Sequence, residues 1–195
     1  MMFPLFETLA IEQGKIQNIE YHQARYEQSL RQFYGKSAVK IFNLFELIQV
    51  PPHLQNQLVR CRIDYNAETT QVQYFEYTRK IYRTFQPIVC DEMDYSLKYA
   101  NRDLLNSLFA QRGNCDEIMI IKNGKVTDCS IGNLIFRQGN QWLTPDTPLL
   151  AGTQREKLLQ EGKIKEATIY AEYVEKFDEI RLINAMNGLS AILYP

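Results

Sequence analysis

Two dipeptides, Asn123-Gly124 and Gly139-Asn140, place the strongest constraint on what this chain can fold into. Each is flanked by short runs rich in β-branched and aromatic residues, and two such runs joined by an Asn/Gly turn are typical of a β-hairpin. The predicted strands are 118–122, 126–128, 133–137 and 142–144. Hairpins build antiparallel sheets, whereas a doubly wound parallel sheet needs long crossovers between its strands. The pattern therefore predicts the α+β class, in two layers.

The rest of the chain adds helices and strands on either side of residue 80. Before it, strands are predicted at 6–11, 16–19, 58–65 and 71–77, with a helix at 20–34. After it, strands are predicted at 87–90 and 179–184, with helices at 100–112 and 153–160. The segment from Lys80 to Thr84 is basic and irregular. We therefore expect a small α+β N-terminal domain over 1–80 and an α+β C-terminal domain over 81–195.

Charge and cysteine content argue against several classes of partner. With 22 Lys and Arg against 23 Asp and Glu, the net charge is −1, which gives no electrostatic reason to expect nucleic acid or an anionic membrane surface. The four cysteines form no C-x-x-C pair, and His22 and His53 lack metal-ligand spacing, so we expect reduced thiols and no metal. No apolar run approaches the ~20 residues that span a bilayer, and the start lacks the features of a signal peptide. The expectation is a soluble cytoplasmic protein.

The helix predicted at 20–34 carries a charged residue beside its apolar face. At ~100° per residue its apolar residues form one stripe, and Arg25 lies at the margin of that stripe. A guanidinium turned toward the core needs an anionic partner, because an unpaired buried charge is costly. A nearby carboxylate such as Glu7 is one possible partner. The phosphate of a bound molecule is the other, since a guanidinium contacts phosphate bidentately.

Three further segments carry reactive or charged groups, although each also has a plain structural explanation. Lys98 has apolar neighbours, which would favour its neutral, nucleophilic form, but a solvated lysine beside a helix start is the commoner case. Asp128 ends a predicted strand, where it is either a partner for a cationic ring nitrogen or a turn-forming residue. The phrase Gly152-Thr153-Gln154-Arg155 opens a helix, and every helix N-terminus attracts anions.

In this order and spacing, the segments resemble the class IV aminotransferase family, the fold-type-IV pyridoxal-phosphate enzymes. The matching phrases are Phe6-Glu7-Thr8, His22-Gln23-Ala24-Arg25, Ser96 to Arg102, Val126 to Phe136, Ala151 to Arg155 and Asp178 to Met186. The resemblance implies the two-domain fold of the D-amino-acid aminotransferase type, pyridoxal 5'-phosphate as cofactor, and a homodimer. Relative to the family pattern, the N-terminal domain is shortened.

The resemblance also implies roles for individual residues. Lys98 matches the catalytic lysine that holds the cofactor as a Schiff base, and Arg25 matches the arginine that binds its phosphate. Asp128 takes the position of the carboxylate that contacts the pyridine nitrogen, with Asn133 five residues later as in the family pattern. The other implied cofactor contacts lie around the phosphate, at Thr153, Gln154, Asn184 and Ala185.

Two of these positions depart from the family pattern. The family carboxylate is normally Glu, and Asp128 is one methylene shorter, so its ion pair to the ring would be longer or differently angled. The family pair Ile-Thr at the phosphate helix is Thr153-Gln154 here, which is harmless where only backbone N–H groups are used.

Several phrases are closest in wording to the 4-amino-4-deoxychorismate lyases. They are Lys-x-x-Asn-Arg from residue 98, Val-Thr-Asp-Cys from residue 126 and Asn-Ala-Met from residue 184. The first hypothesis is therefore a lyase of folate biosynthesis that releases pyruvate to give 4-aminobenzoate. An amino-acid transaminase of the branched-chain or D-amino-acid type would use the same residues and remains an alternative. A paralogue that binds the cofactor without turnover is the third, motivated by Asp128 and the short chain.

Substrate and subunit contacts are less constrained. The substrate is expected to be a small-molecule amine or amino acid, and Arg83, Arg102 and Arg137 are unranked candidates for binding its carboxylates. The trimmed first domain has little core of its own. We therefore expect its exposed apolar residues to be buried in a homodimer. The residues expected to be exposed in this way are Phe42, Leu44, Phe45 and Leu47.

Overall fold

The structure, a computed structural model, describes residues 2–35 and 39–189 and mixes helices with mainly antiparallel strands. The predicted α+β class is confirmed. The chain separates into two compact units. The first comprises the described residues up to Arg79 together with Leu97–Asn101, and the second comprises Lys80–Ser96 and the described residues from Arg102 onward. No helix in the described ranges is long and apolar enough to cross a membrane.

The first unit is a four-stranded antiparallel sheet with helices packed on one face. Its strands are β1 (Leu5–Glu12), β2 (Lys15–Ile16), β3 (Leu58–Tyr65) and β4 (Thr70–Glu76), in the order β2-β1-β3-β4. Its helices are α1 (Ile19–Tyr34), α2 (Leu44–Leu47) and a 3-10 turn at Pro52–Leu54. Because strand side chains alternate between faces, every second residue of β1, from Leu5 to Ile11, faces α1. The apolar ones are fully buried there, as are Tyr26 and Leu30 of α1.

The segment Leu97–Asn101 belongs to the first unit, although the predicted boundary placed it in the C-terminal domain. The backbone N–H of Phe6 donates to the carbonyl of Lys98 at 3.1 Å, and Leu5 forms a β-bridge with Tyr99. Leu97 is buried in the apolar core of this unit. These backbone bonds extend the sheet beyond β1, so Lys98 is carried by the first unit.

The second unit contains two sheets. Strands β5 (Phe85–Val89), β6 (Glu117–Lys122) and β7 (Lys125–Val126) form one, and the other has the order β10-β9-β8-β11. The strands of that second sheet are β8 (Asn133–Gln138), β9 (Gln141–Pro145), β10 (Lys165–Ala167) and β11 (Glu179–Ile183). The helices are α3 (Asp103–Phe109), α4 (Thr153–Gln160) and a 3-10 helix at Ala171–Lys176.

Both predicted hairpins are present in the second unit. The residues Asn123, Gly124 and Gly139 adopt positive φ values of 51°, 74° and 58°, the backbone conformation that such turns require. The pairs β5–β6 and β9–β10 are parallel, which the hairpin pattern did not predict. The helix α3 begins later than predicted, because the N–H of Ala100 bonds to the carbonyl of Pro4, just before β1, instead of continuing a helix.

The predicted exposure of the segment 42–47 is correct only in part. Phe45 is 65% exposed, whereas Phe42 and Leu47 are half-buried. Leu44 is fully buried, so the prediction was wrong for that residue. The reason is α2, a single helical turn capped by the side chain of Asn43, which directs Leu44 into the core.

Candidate functional site

A buried ion pair joins β1 to α1 in the first unit. Glu7 is fully buried, and Arg25 Nε and Nη2 donate to its two carboxylate oxygens at 2.8 and 2.6 Å. His22 Nδ1 lies 2.7 Å from Glu7 Oε2 and is buried as well. The pairing with Glu7, one of the two partners considered for Arg25, is therefore present. The pairing uses Nε and Nη2 of the guanidinium, and Nη1 takes no part in it.

The three groups carry no net charge at neutral pH. Burial alone would raise the pKa of Glu7, but the charge of Arg25 and the hydrogen bonds from His22 and Arg25 outweigh it and lower the pKa to about 2. Burial lowers the pKa of His22, although its bond to Glu7 opposes that shift. Glu7 is thus ionised and His22 neutral, which leaves one negative charge against the positive charge of Arg25.

Lys98 lies against the opposite face of β1. Its Nζ is 4.7 Å from the centre of the Phe6 ring, and its side chain is half-buried. The guanidinium of Arg62 lies 3.9 Å from the same ring centre and is paired with Asp64 at 2.8 and 2.5 Å. Neither Phe6 nor Arg62 was predicted as a neighbour of Lys98. Charged residues at every second position of the predicted strand 58–65 are the signal that would have pointed to this face.

Asp128, in the second unit, is a buried carboxylate that accepts three hydrogen bonds. Its Oδ2 accepts from the backbone N–H groups of Leu149 and Leu150 at 2.9 and 3.0 Å, and its Oδ1 accepts from Asn133 Nδ2 at 2.8 Å. Burial raises the pKa of Asp128 to about 6, while these hydrogen bonds act in the opposite direction. These side chain–backbone hydrogen bonds connect Asp128 to residues 149–150 rather than to its own turn. One lone-pair position on Oδ1 lies outside these bonds, because a carboxylate offers about four.

Asn133 connects Asp128 to the segment that precedes α4. Its Nδ2 also donates to the carbonyl of Leu150 at 3.0 Å. Its Oδ1 lies so close to Gly152 that a Cβ at that position would be 1.9 Å away. Only a glycine fits at residue 152 while the Asn133 side chain keeps this position.

A second buried carboxylate holds the loop that follows Asp128. Glu117 is 1% exposed and accepts from Ser130 through its hydroxyl at 2.9 Å and its N–H at 3.4 Å. Arg102 Nη2 donates to the carbonyl of Ser130 at 2.7 Å. Burial raises the pKa of Glu117, partly offset by hydrogen bonds from Ile118 and Ser130. Glu117 is buried because it is the first residue of β6 and its side chain points inward.

The predicted phosphate site lies at the N-terminus of α4. The helix begins at Thr153 after Gly152, whose backbone is extended. Thr153 and Gln154 are 4% and 9% exposed. The backbone N–H groups of a first turn and the helix dipole favour an anion at this position.

Arg155 lies in the same turn. Its Nη2 donates to the carbonyl of Pro145 at 2.9 Å and to Glu166 Oε1 at 2.6 Å. Its Nε is buried and has no hydrogen-bond partner among the described residues. Glu166 balances the charge of Arg155, so the buried Nε is what this side chain offers to a further acceptor in the first turn.

Asn184 and Ala185 lie in a turn after β11 that is fastened to the loop after Asp128. Asn184 Oδ1 accepts from the N–H groups of Met186 and Asn187 at 2.9 Å each, and its Nδ2 donates to the carbonyl of Ile131 at 3.2 Å. Of the predicted site residues, Lys98 and Arg25 thus lie in the first unit and the other six in the second.

The three arginines considered for substrate carboxylates have other surroundings. Arg102 is engaged with Ser130 and the hydroxyl of Tyr95. Arg137 pairs with Glu179 at 3.1 Å and with Asp178 at 3.4 Å. Arg83 is exposed. None of these contacts distinguishes one of the three as a substrate ligand.

The chemistry of the side chains present fits pyridoxal phosphate. The aldehyde needs an amine, the ring nitrogen a carboxylate, and the phosphate a guanidinium and backbone N–H donors. The described residues supply Lys98, a buried carboxylate at Asp128 with one lone-pair position outside its bonds, Arg25, and the first turn of α4. The buried Nε of Arg155 in that turn has no hydrogen-bond partner among the described residues, and an anion at this end of the helix could accept from it.

Comparisons with known proteins agree with this chemistry. A model of the family "Amino-transferase class IV" matches residues 95–193. An uncharacterised protein of Haemophilus influenzae is 78% identical over 188 residues, which is 96% of this chain and 100% of that protein. A Schizosaccharomyces pombe protein named "Putative aminodeoxychorismate lyase" is 34% identical over 67 residues, covering 33% of this chain and 29% of its own length.

A solved structure from Haemophilus somnus 129PT extends the similarity to the whole fold. It is described as a putative 4-amino-4-deoxychorismate lyase and is 57% identical, with a TM-score of 0.92. The match covers 97% of this chain and 99% of that one.

Proposed function

Because this chain belongs to the class IV aminotransferase family, we propose that it is a pyridoxal-phosphate-dependent lyase that converts 4-amino-4-deoxychorismate to 4-aminobenzoate and pyruvate. The observation that carries the choice of substrate is the 57% identical Haemophilus somnus structure, which is described as such a lyase and matches almost the whole chain. The lyase-like phrases around Lys98, Asp128 and Asn184 support the same choice.

Each predicted site residue has a task in this proposal. Lys98 holds the cofactor covalently, and Arg25 and the N–H groups of Thr153 and Gln154 bind its phosphate. Asp128 would contact the ring nitrogen through the lone-pair position outside its three hydrogen bonds. Asn184 and Ala185 complete the phosphate end.

Lys98 is also the proposed base. When bound, pyridoxal phosphate supplies an electron sink next to the substrate amine. Lys98 Nζ would remove the proton from the ring carbon that carries this amine. The bond from the neighbouring ring carbon to the enolpyruvyl oxygen would then break, and Lys98 would return the proton to the departing group, which becomes pyruvate. The ring would become aromatic, and no second substrate would be consumed. Lys98 is suited to both tasks because its backbone is fixed by Phe6 while its amine is only half-buried.

The cofactor assignment is tested by trapping. Purified protein loaded with pyridoxal phosphate should be yellow, and borohydride should fix the cofactor on the peptide that contains Lys98. Lys98→Ala should abolish the adduct. Lys80→Ala, which removes an exposed lysine, should leave it unchanged. An adduct on Lys80 or Lys122, or none at all, would contradict the proposal.

The reaction itself is tested with two substrate sets. Incubated with 4-amino-4-deoxychorismate alone, the enzyme should release pyruvate repeatedly and need no 2-oxo acid. A transaminase given an amino acid alone stops after one half-reaction and recovers only when a 2-oxo acid is added. If the protein shows this second behaviour and leaves 4-amino-4-deoxychorismate untouched, the transaminase alternative replaces the lyase. Cofactor binding without turnover of either set would favour the non-catalytic paralogue.

A further inference from the structure

The contacts of Asp128 and Asn133 suggest a role that the resemblance does not assign to them. We propose that these two side chains form a clasp on residues 149–152 and act as positioning residues for the first turn of α4. The inference rests on the proposed function, because it concerns how that turn is presented to the cofactor phosphate.

The carboxylate of Asp128 is used mainly by the backbone before α4. Two of its three hydrogen bonds come from Leu149 and Leu150, and the third comes from Asn133, which itself binds the carbonyl of Leu150. Both backbone polar groups of Leu150 are thus hydrogen-bonded, the N–H to Asp128 and the carbonyl to Asn133. A buried carboxylate that accepts backbone N–H groups fixes the segment that carries them, since leaving those groups unpaired would be costly.

The orientation of the Asn133 amide follows from the same contacts. Its Nδ2 faces two acceptors, Asp128 Oδ1 and the carbonyl of Leu150. Rotating the amide by 180° would place Oδ1 against both acceptors, so the orientation is determined by the hydrogen bonds. Asn133 Oδ1 therefore points away from Asp128, toward Gly152.

Gly152 completes the clasp through its lack of a side chain. An added Cβ would lie 1.9 Å from Asn133 Oδ1, closer than any non-bonded contact allows. The backbone of Gly152 has φ −74° and ψ 136°, which alanine adopts without strain. The need for glycine is thus set by Asn133 alone. Because Gly152 is the residue before α4, displacing it displaces the N–H groups of Thr153 and Gln154.

The clasp is tested by comparing pyridoxal phosphate with pyridoxal, which lacks the phosphate. Gly152→Ala and Asn133→Ala should each weaken binding of pyridoxal phosphate roughly tenfold, the effect of about one hydrogen bond. Binding of pyridoxal to Gly152→Ala should change less than about twofold, because that substitution leaves Asp128 and the ring contacts untouched. Asp128 is not substituted in this test, since it is also proposed to contact the ring.

The pair of variants provides an internal check. In the Asn133→Ala background the space beside residue 152 is open, so adding Gly152→Ala should cost no further affinity, a non-additivity that contacting residues show. Asn106→Ala removes an exposed amide from α3 of the same unit and should match the wild type. Circular dichroism and a melting curve establish that each variant is folded.

Hydrogen exchange tests the clasp in the unsubstituted enzyme. In the protein loaded with pyridoxal phosphate, the N–H groups of Leu149 and Leu150 should exchange slowly although they lie outside helix and strand. Rapid exchange there, equal losses for both ligands in Gly152→Ala, additive losses in the double variant, or unchanged affinity in a folded Gly152→Ala protein would each overturn the clasp. Absence of any pyridoxal phosphate bound at Lys98 in the wild type would instead overturn the proposed function.

Discussion

At the scale of single residues, burial decides what an ion pair contributes. Glu7 and Glu12 lie in the same strand, β1, and each pairs with an arginine. Glu7 is fully buried against Arg25, whereas the partners Glu12 and Arg79 are 43% and 36% exposed. Removing one member of a buried pair leaves an uncompensated charge, while an exposed pair is replaced by water.

We therefore predict that Glu7→Gln destabilises the fold by about 3 kcal/mol, because Arg25 loses its counter-charge. The matched variant Glu12→Gln, the same change in the same strand, should cost no more than about 1 kcal/mol. Urea unfolding at neutral pH measures both. Equal effects of the two substitutions would show that the buried pair contributes no more than the exposed one.

The pH dependence of the same variants tests the charge of Glu7. Its pKa is about 2 in the folded protein against an ordinary value of 4.5. The stabilisation from its ionised form is thus present above about pH 4.5 and lost as the pH falls toward about 2. Glu7→Gln cannot take up this proton, so the stability gap between variant and wild type should shrink as the pH falls through that window. The pKa of His22 also depends on its bond to Glu7, so the comparison is repeated with His22→Gln in both proteins, where no imidazole titrates beside residue 7. A gap that stays constant between about pH 5 and pH 3 would contradict the assignment.

At the scale of elements, the loop from Asp128 to Asn133 is held by Glu117. The carboxylate binds both the hydroxyl and the N–H of Ser130. Because burial raises the pKa of Glu117, its ionised form is disfavoured in the fold. The stability linked to this group is present at low pH and lost as the pH rises through its folded pKa.

We predict opposite effects for two substitutions in this loop. Ser130→Ala leaves a buried carboxylate oxygen without its donor and should cost about 1–3 kcal/mol. Glu117→Gln keeps an acceptor for the two N–H groups and removes the buried charge, so at pH 7 it should be neutral or stabilising. Melting temperatures at pH 5 and pH 7 measure both. Ser107→Ala, which removes an exposed hydroxyl from α3, should change stability by less than about 0.5 kcal/mol. If Glu117→Gln is as destabilising as Ser130→Ala, the charge of Glu117 is needed in the fold.

The elements with strong local signals were predictable from the sequence. The strand β3 was predicted with its observed bounds, Leu58–Tyr65, and α4 likewise, Thr153–Gln160. In β3, apolar residues alternate with charged ones. Gly152 precedes α4, and Gly162 follows shortly after its end. The single turn α2 and the three-residue strand β10 were missed, because elements so short are formed by packing and sheet pairing rather than by local sequence.

The site was predictable as a set of residues but not as a set of contacts. The phrases identified Asp128 and Asn133, yet they could not show that Asp128 binds the N–H groups of Leu149 and Leu150, which lie 21 and 22 residues further along the chain. Arg25 illustrates the same limit. Its need for an anion followed from its place on the helix, and only the fold shows that Glu7 supplies one.

At the scale of the whole molecule, the chain places Lys98 in the first unit by passing from one unit to the other. It leaves the first unit after Arg79, returns for Leu97–Asn101 and leaves again at Arg102. Backbone hydrogen bonds to Pro4 and Phe6 fix this short segment. They hold Lys98 more firmly than a loop tip would, because the main chain of the segment is part of a sheet.

The molecule is expected to assemble as a dimer. The family resemblance implies a homodimer, and the first unit exposes apolar side chains, with Phe45 at 65% and Phe33 at 43%. Exposed aromatic surface of this kind favours association, because removing it from water is favourable. We expect light scattering to give twice the chain mass at micromolar concentration. Phe45→Ser tests this exposed ring, and a rise in the dimer dissociation constant would place it at the interface. The exposed Glu46→Gln serves as a neighbouring control. A monomeric mass for the wild type loaded with pyridoxal phosphate would contradict the dimer. The apolar side chains of the first unit would then remain exposed to solvent.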